Sequence, residues 1–582
     1  MQLIHAPSRQ LTVMVLIAIV FVFAGYYHVP ASRAQASQIQ GAPASAWTPE
    51  AALDGFVYHY EADRAVCRPA TAEEFQSIQE RHVAVRAIGR GGITTQDAGD
   101  VNISLRGTPQ LDNFPQAKAV FLHAADIWKS KIQTMGPAIT IVIDVDFGPT
   151  RFGTAWGAGV LGSTGSQQLG NSQGYSDVRN ALVTRASSPS EAALFATLPV
   201  SNVPTDIGTT TGFVTPAALL RALGILNPVA DPATETQFGS PPSIGFNSNF
   251  QYDFDPSDGI GPTLIDFESV AVHEIGHALG FSSRVGATEL NPGITPSVSV
   301  LDLFRFRPGT TSGMFGSSQR ILSSGGSQMF FADSPDLGLS TGRPDGSGGD
   351  GSQASHWKDS ILTCFQIGVM DPAIARGERS VITNNDLTAF DALGYQLKPF
   401  NSPAFKSTSG SLQGDVVTLA GKLEDAQGDV VQAQTTLLDD SCNVLLLNPP
   451  VAVDFGGQTS ANFNLQIAGL NSRPTATHAS LAFTDSQTNR SVTLEIDFTL
   501  ADPGGPAANK ANYGTKLVIK GGGLSGLLQI EVNGVIVTEK DNGSDGKAKI
   551  KGSETKLNLH AGANRVRVIK NGLRSNCAIA TL

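Results

Sequence analysis

The pentapeptide His273-Glu274-Ile275-Gly276-His277 constrains the fold of this chain more than any other segment. Residues four apart lie on one face of an α-helix, so both imidazoles can point at a single metal ion. Neutral imidazole suits zinc, and a catalytic zinc site has three protein ligands and an open fourth position for water. Glu274 would lie beside that water and take its proton. The segment therefore predicts a zinc-binding helix with Glu274 as the catalytic base; the alternative is a buried helix with two hydrogen-bonded histidines.

The flanking residues predict that this helix spans 262–279. Thr263 and Asp266 form a T-x-x-D pattern typical of a helix N-terminus, where acidic residues are also favoured electrostatically. Gly280 follows, where a left-handed turn would end the helix. The apolar residues between these ends recur near a helical period and predict a face packed on a core: Phe267, Val270, Ala271, Ile275, Ala278 and Leu279.

The longer pattern His-Glu-x-x-His-x-x-Gly resembles the zinc signature of the metzincin metallopeptidases. Most of that clan has a third histidine three residues after the glycine, where this chain has Ser283. Downstream come His356-Trp357, then Met370-Asp371-Pro372, and then a segment that ends in Leu393-Gly394-Tyr395. This order is similar to the leishmanolysin branch, in which an insertion displaces the third histidine and a methionine turn of M-x-P form follows it.

The resemblance implies the remaining site residues and the fold. His356 would be the third zinc ligand, beside His273 and His277, and Met370 would lie in the turn beneath the metal. The catalytic domain, residues 101–400, would have the α+β zincin-like fold. Pro372 occupies the position of a metal-contacting tyrosine found in some family members, so no tyrosine switch is expected.

Alternatives stay open at these positions. His356 is also compatible with a surface loop, because residues 338–355 are rich in Gly and Ser and predict a loop. Met370 is also compatible with ordinary core packing. Glu289 and Asp302 are rival third ligands, although no second-helix glutamate pattern supports either.

The region ahead of the zinc helix predicts a mixed lobe. Residues 103–105 and 139–145 have strand patterns, and residues 115–132 form an amphipathic helical pattern between them. This order fits an α+β lobe with a twisted sheet. Residues 157–163 are the candidate for the edge strand whose backbone donors would bind substrate.

The N-terminus predicts export. Arg9 precedes an apolar run over 11–24, and Ala34-Gln35-Ala36 offers a cleavage site before Ser37. Residues 1–36 are therefore interpreted as a signal peptide and the protein as secreted; periplasmic retention and an uncleaved membrane anchor are the alternatives. Residues 37–100 would be a pro-segment or an N-terminal extension.

Cys67 has two interpretations. The chain has only four cysteines, the others being Cys364, Cys442 and Cys577, and four cysteines allow three complete pairings. Since export usually oxidises thiols, a disulfide is favoured, with Cys364 as one partner. The alternative is a pro-segment thiolate that occupies the open zinc position and keeps the enzyme latent.

A second metal, calcium, is a candidate at the loop before the zinc helix. Asp253, Asp255 and Asp258 cluster there, and carboxylates on a loop suit a hard cation. The twelve-residue EF-hand spacing is absent, so turn capping explains these aspartates equally well.

Beyond the catalytic region, short apolar runs alternate with Gly, Asn and Asp turns. Residues 401–507 and 508–582 are therefore predicted to be two all-β, immunoglobulin-like sandwich modules. The second is similar to IPT/TIG domains in its strand spacing and in a hairpin pattern from Asn564 to Gly572.

Charge is divided unevenly along the chain. The net charge of −11 argues against nucleic acid as a main partner. Residues 508–582 nevertheless contain 12 Lys/Arg and 5 Asp/Glu, a net of +7, and the remainder is −18. This module could contact a cell surface or another anionic surface. The alternative is that its lysines only solvate exposed strands.

These features predict a secreted zinc metalloendopeptidase that acts on proteins or peptides. Glu274 would take a proton from water and later return one to the leaving amine. The alternative is a secreted adhesion or binding protein, whose β modules bind the partner and whose zinc lobe is structural or degenerate.

Overall fold

The structure describes most of the chain beyond residue 45. The predicted signal peptide, residues 1–36, lies outside the described residues, as do Ser37, Cys364, Cys442 and Cys577. No helix among the described residues is long and apolar enough to cross a bilayer. The computed structural model describes residues 46–50, 54–61, 64–88, 98–228, 232–308, 310, 312–331, 337–363, 365–398, 404–413, 416–425, 430–439, 443–456, 458–470, 472–473, 476–485, 491–497, 505–533, 535–559, 563–575 and 578–581.

Among the described residues, the α-helices all precede residue 398, and a short 3-10 helix, Thr555–Leu557, lies beyond it. The α-helices are α1 Ala72–Gln79, α2 Pro115–Lys131, α3 Tyr175–Arg185, α4 Pro189–Ala196, α5 Ala217–Ala222, α6 Phe267–Leu279, α7 Ala287–Leu290, α8 Val300–Leu303, α9 Ser360–Thr363 and α10 Asn384–Leu393. The pattern over 115–132 is thus confirmed as α2.

One large sheet organises this region. Its strands are β1 Asp54–Glu61, β2 Arg64–Pro69, β3 Arg86–Ala87, β4 Val101–Gly107, β5 Ile139–Gly148, β6 Val160–Ser166, β7 Ser243–Asn247 and β8 Ala373–Ala375. They lie in the order β8-β2-β1-β6-β7-β5-β4-β3. β4, β5 and β7 are parallel, whereas β6 is antiparallel to both of its neighbours. Every residue of β5 is buried, as expected for a β-branched strand covered on both faces.

Helices α2 and α6 pack together against this sheet. Phe121 of α2 meets Phe267 of α6 edge-on, and the Trp128 indole donates a hydrogen bond of 2.8 Å to the Val272 carbonyl. Every residue of α6 is buried, so this helix is central to the lobe rather than a surface element.

The predicted start of α6 is wrong by five residues. The helix begins at Phe267 because Ile265–Asp266 is extended and pairs with Tyr252–Asp253. The N-cap is Asp266, whose carboxylate accepts from the Glu268 N–H, and not Thr263. The predicted end is correct, since Gly280 follows Leu279 with a φ of 125°.

Shorter strands connect these elements. The stretch 338–355 contains no helix among its described residues, which agrees with the predicted loop. The short strands are Thr48–Pro49, Ile132–Gln133, Thr150–Arg151, Thr154–Ala155, Gln168–Asn171, Val203–Thr205, Gly208–Thr210, Gly212–Pro216, Tyr252–Asp253, Ile265–Asp266, Ser297–Val298, Arg305–Phe306, Met329–Phe330, Leu337–Gly338 and Gln396–Leu397.

The described residues from 404 onward form two further antiparallel β regions, each with its own apolar core. Their strands are β9 Ala404–Gln413, β10 Val416–Glu424, β11 Val430–Asp439, β12 Val444–Leu447, β13 Val451–Asp454, β14 Ser460–Ala468, β15 Ala476–Asp485, β16 Ser491–Asp497, β17 Lys510–Tyr513, β18 Leu517–Lys520, β19 Gly526–Val532, β20 Val535–Asn542, β21 Lys547–Ile550, β22 Ala563–Lys570, β23 Leu573–Arg574 and β24 Ala578–Thr581. The first region has sheets β9-β10-β14 and β12-β11-β15-β16, with β13 also paired to β11. The second has sheets β17-β18-β21 and β20-β19-β22-β23, with β24 also paired to β22. The described structure is thus mixed α and β.

The hairpin expected near the C-terminus is present. β22 pairs with β23 across Asn571 and Gly572, whose φ angles are 53° and 82°. Two positive φ values in succession are what a two-residue hairpin turn of type I′ requires, and Asn-Gly is its preferred sequence.

Candidate metal centre

Three imidazoles that lie far apart in sequence converge at one point. The Nε2 atom of His277 is 3.0 Å from Nε2 of His273 and 3.2 Å from Nε2 of His356. The first two project from successive turns of α6, and the third comes from the long insertion. The structure thus places His356 beside the helical pair and not on the surface.

Backbone carbonyls fix the orientation of each ring. The Nδ1 atom of His273 donates to the Val369 carbonyl at 2.7 Å, and that of His277 to the Phe281 carbonyl at 2.8 Å. His356 Nδ1 donates to the Gln353 carbonyl at 3.1 Å. A carbonyl can only accept, so each Nδ1 bears the proton and each Nε2 presents its lone pair to the shared point.

Burial keeps these rings neutral. All three are at most 2% exposed. Burial lowers the pKa of His273 to about 4, and burial together with the neighbouring imidazoles lowers the pKa values of His277 and His356 well below the usual value. Neutral imidazole is the form that binds metals.

Glu274 is fully buried beside this group. Its carboxylate oxygens accept no hydrogen bond of ordinary geometry among the described residues. Burial raises its pKa to about 8, and the Thr164 hydroxyl and the positive charge of Arg151 act in the opposite direction. A buried carboxyl group without a hydrogen bond is costly, so chemistry at the site explains the position of Glu274 better than stability does.

Cys67 contributes a fourth potential ligand. Its sulfur and the three imidazoles each provide one atom, and all four atoms lie within 4.8 Å of one another. The thiol is buried and free, so the favoured disulfide interpretation of Cys67 is wrong in this structure. Burial raises the pKa of this thiol well above its usual value. We call Cys67, His273, His277 and His356 the metal-binding group.

These four residues fit a metal ion. Two zinc ligands at about 2.0–2.1 Å in a tetrahedral arrangement lie about 3.3–3.4 Å apart, close to the observed separations of the Nε2 atoms. The donor set of imidazole nitrogen and thiolate sulfur suits zinc or a similar transition metal. Lone pairs facing one another at 3.0 Å would be unfavourable without a cation between them.

Met370 lies directly under the helix that bears the motif. It is fully buried, and a Cβ added at Gly276 would come within 2.5 Å of its sulfur. Any larger residue at Gly276 would therefore have to displace this buried methionine. The Met370 carbonyl also accepts from the Trp357 N–H, which links the turn to the segment of the third histidine.

Asp386, which the sequence reasoning missed, joins these segments to α10. Its carboxylate accepts from the Trp357 indole at 2.8 Å, from the Val369 N–H at 2.9 Å and from the Thr383 N–H at 2.7 Å. Thr383 and Asp386 form a capping box at the start of α10. The T-x-x-D pattern was a signal in the sequence, but its contacts to Trp357 and Val369 were not predictable from it.

The β1–β2 hairpin covers the metal-binding group. Phe56 stacks on the His277 ring, with centroids 3.9 Å apart and planes within 10°, and Tyr58 meets His273 edge-on at 5.5 Å. Cys67 pairs with Tyr58 across the hairpin, so its side chain lies on the same face. Nothing in the composition of this segment indicated that its aromatic residues contact the motif.

The same hairpin pairs with the strand that was expected to form a sheet edge. β6 overlaps the predicted segment 157–163, but the side of β6 that faces away from β7 pairs with β1 from Val160 to Ser166. The prediction of an open edge is therefore wrong for this form of the chain. β2 in turn pairs with β8, and the Cys67 N–H donates to the Pro372 carbonyl.

The rival ligands and the calcium candidate are not part of this group. The Glu289 carboxylate pairs with Arg343, and the Asp302 carboxylate accepts from the Ser283 hydroxyl and the Arg284 N–H. Asp253 accepts from the N–H groups of Asp255 and Gly261, as a turn cap does. Within the described ranges, the Asp253 loop does not form a group with metal-ligand spacing.

The structure therefore brings together the pentapeptide histidines, His356 and Cys67, with Glu274 and Met370 against them. It separates them from Glu289, Asp302 and the Asp253 loop. No protein-family model matches this chain, and no curated protein matches it.

Proposed function

We propose that this chain is a zinc-dependent endopeptidase, and the buried, unpaired Glu274 beside three converging imidazoles is the observation that best supports it. His273, His277 and His356 would hold the ion. Zinc, when bound, supplies Lewis acidity that polarises a carbonyl group and acidifies water. A purely structural site would have no use for a carboxylate in this position.

Glu274 would act as both base and acid. Burial alone raises the pKa of Glu274, and a cation held by the three imidazoles would lower it again, so that the carboxylate could take a proton from water and return it. It would take the proton of the attacking water and deliver it to the leaving amine. Thr164 and Arg151 contribute the opposing influences that keep this pKa from rising further.

The fold gives further support to a leishmanolysin-like metzincin domain. β6 runs antiparallel to its neighbour β7, whereas β7, β5 and β4 are parallel, and Met370 lies against the helix α6 that bears the motif. The two all-β regions support immunoglobulin-like modules after it. The apolar run over 11–24 supports secretion, and proteins or peptides outside the cell would be the substrates.

The covered site suggests that this form is latent. A peptide that reached Glu274 would need the space held by Phe56 and Tyr58 and the backbone groups of β6 that pair with β1. Cys67 would take the position that water needs. We infer that residues 37–100 act as a pro-segment whose β1–β2 hairpin must leave before catalysis.

A secreted binding protein with a structural metal is the second candidate. Cys67 favours it, because three imidazoles and a thiolate make a closed four-ligand set of the kind found in structural zinc sites. Glu274 opposes it, because a structural zinc site has no need for a buried carboxyl group that forms no hydrogen bond of ordinary geometry among the described residues.

Glu274→Gln in the processed protein separates the two candidates. We expect cleavage of a casein-type substrate to fall by at least about 1,000-fold, since the general base and electrostatic contributions are lost together. Zinc content should be unchanged. Cleavage that survives this substitution excludes the mechanism, and zinc without cleavage by processed wild type favours the binding protein.

Cys67→Ser in the unprocessed chain tests latency. We expect this variant to cleave substrate faster than the unprocessed wild type, because serine is a poor zinc ligand and the β1–β2 hairpin would leave the site more readily without a thiolate on the ion. Val66→Thr is the matched control, since this neighbour lies on the opposite face of β2. Equal activity of the two variants would show that the thiol does not block the site.

A further inference from the structure

Lysines are aligned across the three-stranded sheet β17-β18-β21 of the last β region. Lys510 lies directly opposite Lys520, and Lys520 lies directly opposite Lys547. Neighbouring strands are about 4.8 Å apart, so three positive charges form one row across the sheet. Lys549 and Lys551 extend the positive charge along β21 and just beyond it. We call these five residues the lysine face.

The pleat of the strands turns this row towards solvent. Ala511, Ile519 and Ala548 alternate with the lysines and belong to the buried core. Lys510, Lys520 and Lys547 are exposed, on the opposite side of the sheet. The ion pairs formed within the described residues include none of the three.

The row of lysines across β17, β18 and β21 lowers the stability of the folded chain when no partner is bound. Like charges directly opposite each other on neighbouring strands are destabilising. Protection of a sheet edge does not explain the row, because Lys520 lies on the central strand β18. Residues 508–582 also have a net charge of +7 in a chain whose net charge is −11, so the positive charge of the protein is concentrated in this β region.

The composition of the face restricts the partner. The large exposed apolar residues of this β region lie on strands of its other sheet, so this face offers nothing to insert into a bilayer: Leu527, Val535, Ile536 and Leu573. Tyr513 is half-buried and its hydroxyl donates to the Gly552 carbonyl, so the described residues of this face present no exposed aromatic ring for base stacking. The face provides charge alone.

We propose that the lysine face binds a linear acidic polysaccharide, whose repeated carboxylates or sulfates would neutralise the lysine row. Such a polymer can be bound by a series of closely spaced cations alone, without apolar or stacking contacts. Binding would hold the protein at a glycan-covered surface, and it depends on neither Glu274 nor the metal-binding group.

Salt-gradient elution of the full chain from immobilised heparin, with soluble polygalacturonate as a carboxylate competitor, tests this. We expect the triple variant Lys510→Gln/Lys520→Gln/Lys547→Gln to elute at lower salt than wild type. The slope of log affinity against log salt should fall by roughly two to three units for three lost contacts. Replacement of the same three lysines by arginine should preserve binding.

The matched control is Lys129→Gln/Lys422→Gln/Lys556→Gln, which removes the same charge from lysines outside the face. The proposal is overturned if both triple-glutamine variants elute alike. It is also overturned if phosphatidylglycerol vesicles or oligothymidine bind the full chain more tightly than the polysaccharides. Thermal unfolding at or above the wild-type temperature would show that the first variant is folded, because it relieves repulsion.

Discussion

At the scale of single residues, His356 provides the sharpest test of the metal centre, because it comes from outside the motif helix. We expect His356→Ala to weaken metal binding by more than about 100-fold, since loss of a hydrogen-bond partner of a ligand already costs 10–100-fold. Metal content after dialysis measures this. His82→Ala, at an exposed histidine, is the control. Full metal occupancy in His356→Ala would remove this residue from the site.

Gly276 and Met370 offer a second test at this scale. Alanine is the better helix former by about 1 kcal/mol, but its Cβ would lie 2.5 Å from the Met370 sulfur in a buried site. Overpacking costs about 1–3 kcal/mol, so we expect Gly276→Ala to lower the free energy of unfolding. Chemical denaturation measures it. In Gly276→Ala/Met370→Ala the combined loss should be smaller than the sum of the single losses.

At the scale of elements, the sequence predicted what depends on local pattern. The period of apolar residues located α2 and α6, and Gly280 marked the end of α6. The start of α6 was misplaced because Ile265–Asp266 pairs with a strand remote from the helix pattern. The pairing of β1 with β6 likewise joins segments about 100 residues apart in sequence. The residues near Phe56 and Tyr58 therefore gave no indication that these two rings cover the site.

The pairing of β1 with β6 is testable by amide hydrogen exchange. In the full chain, the β6 amides bonded to β1 should be protected. After limited proteolysis removes the residues before 98, those amides should exchange at least about tenfold faster, because their partners are gone. The β5 amides, which pair with β4 and β7, are the internal control. If the β6 amides remain protected, either the β1–β2 hairpin stays bound after cleavage or β1 is not what protects β6, and the hairpin does not behave as a removable pro-segment.

At the scale of the whole molecule, apolar burial is divided among separate clusters. The largest contains the residues around α6, and each β region after residue 404 has its own cluster. Unfolding of several cores generally does not follow a single two-state transition. A ligand that binds only one of them stabilises that one, by about 2.7 kcal/mol when its free concentration is 100 times Kd.

Differential scanning calorimetry with and without a chelator should therefore show a selective effect. We expect metal removal to lower the temperature of the transition that belongs to the first core and to leave the others unchanged. Glu274→Gln should keep this sensitivity, because it retains the ligands, whereas His356→Ala should lose it. If the chelator instead shifts every transition together, the cores unfold as one unit and the metal stabilises the whole chain.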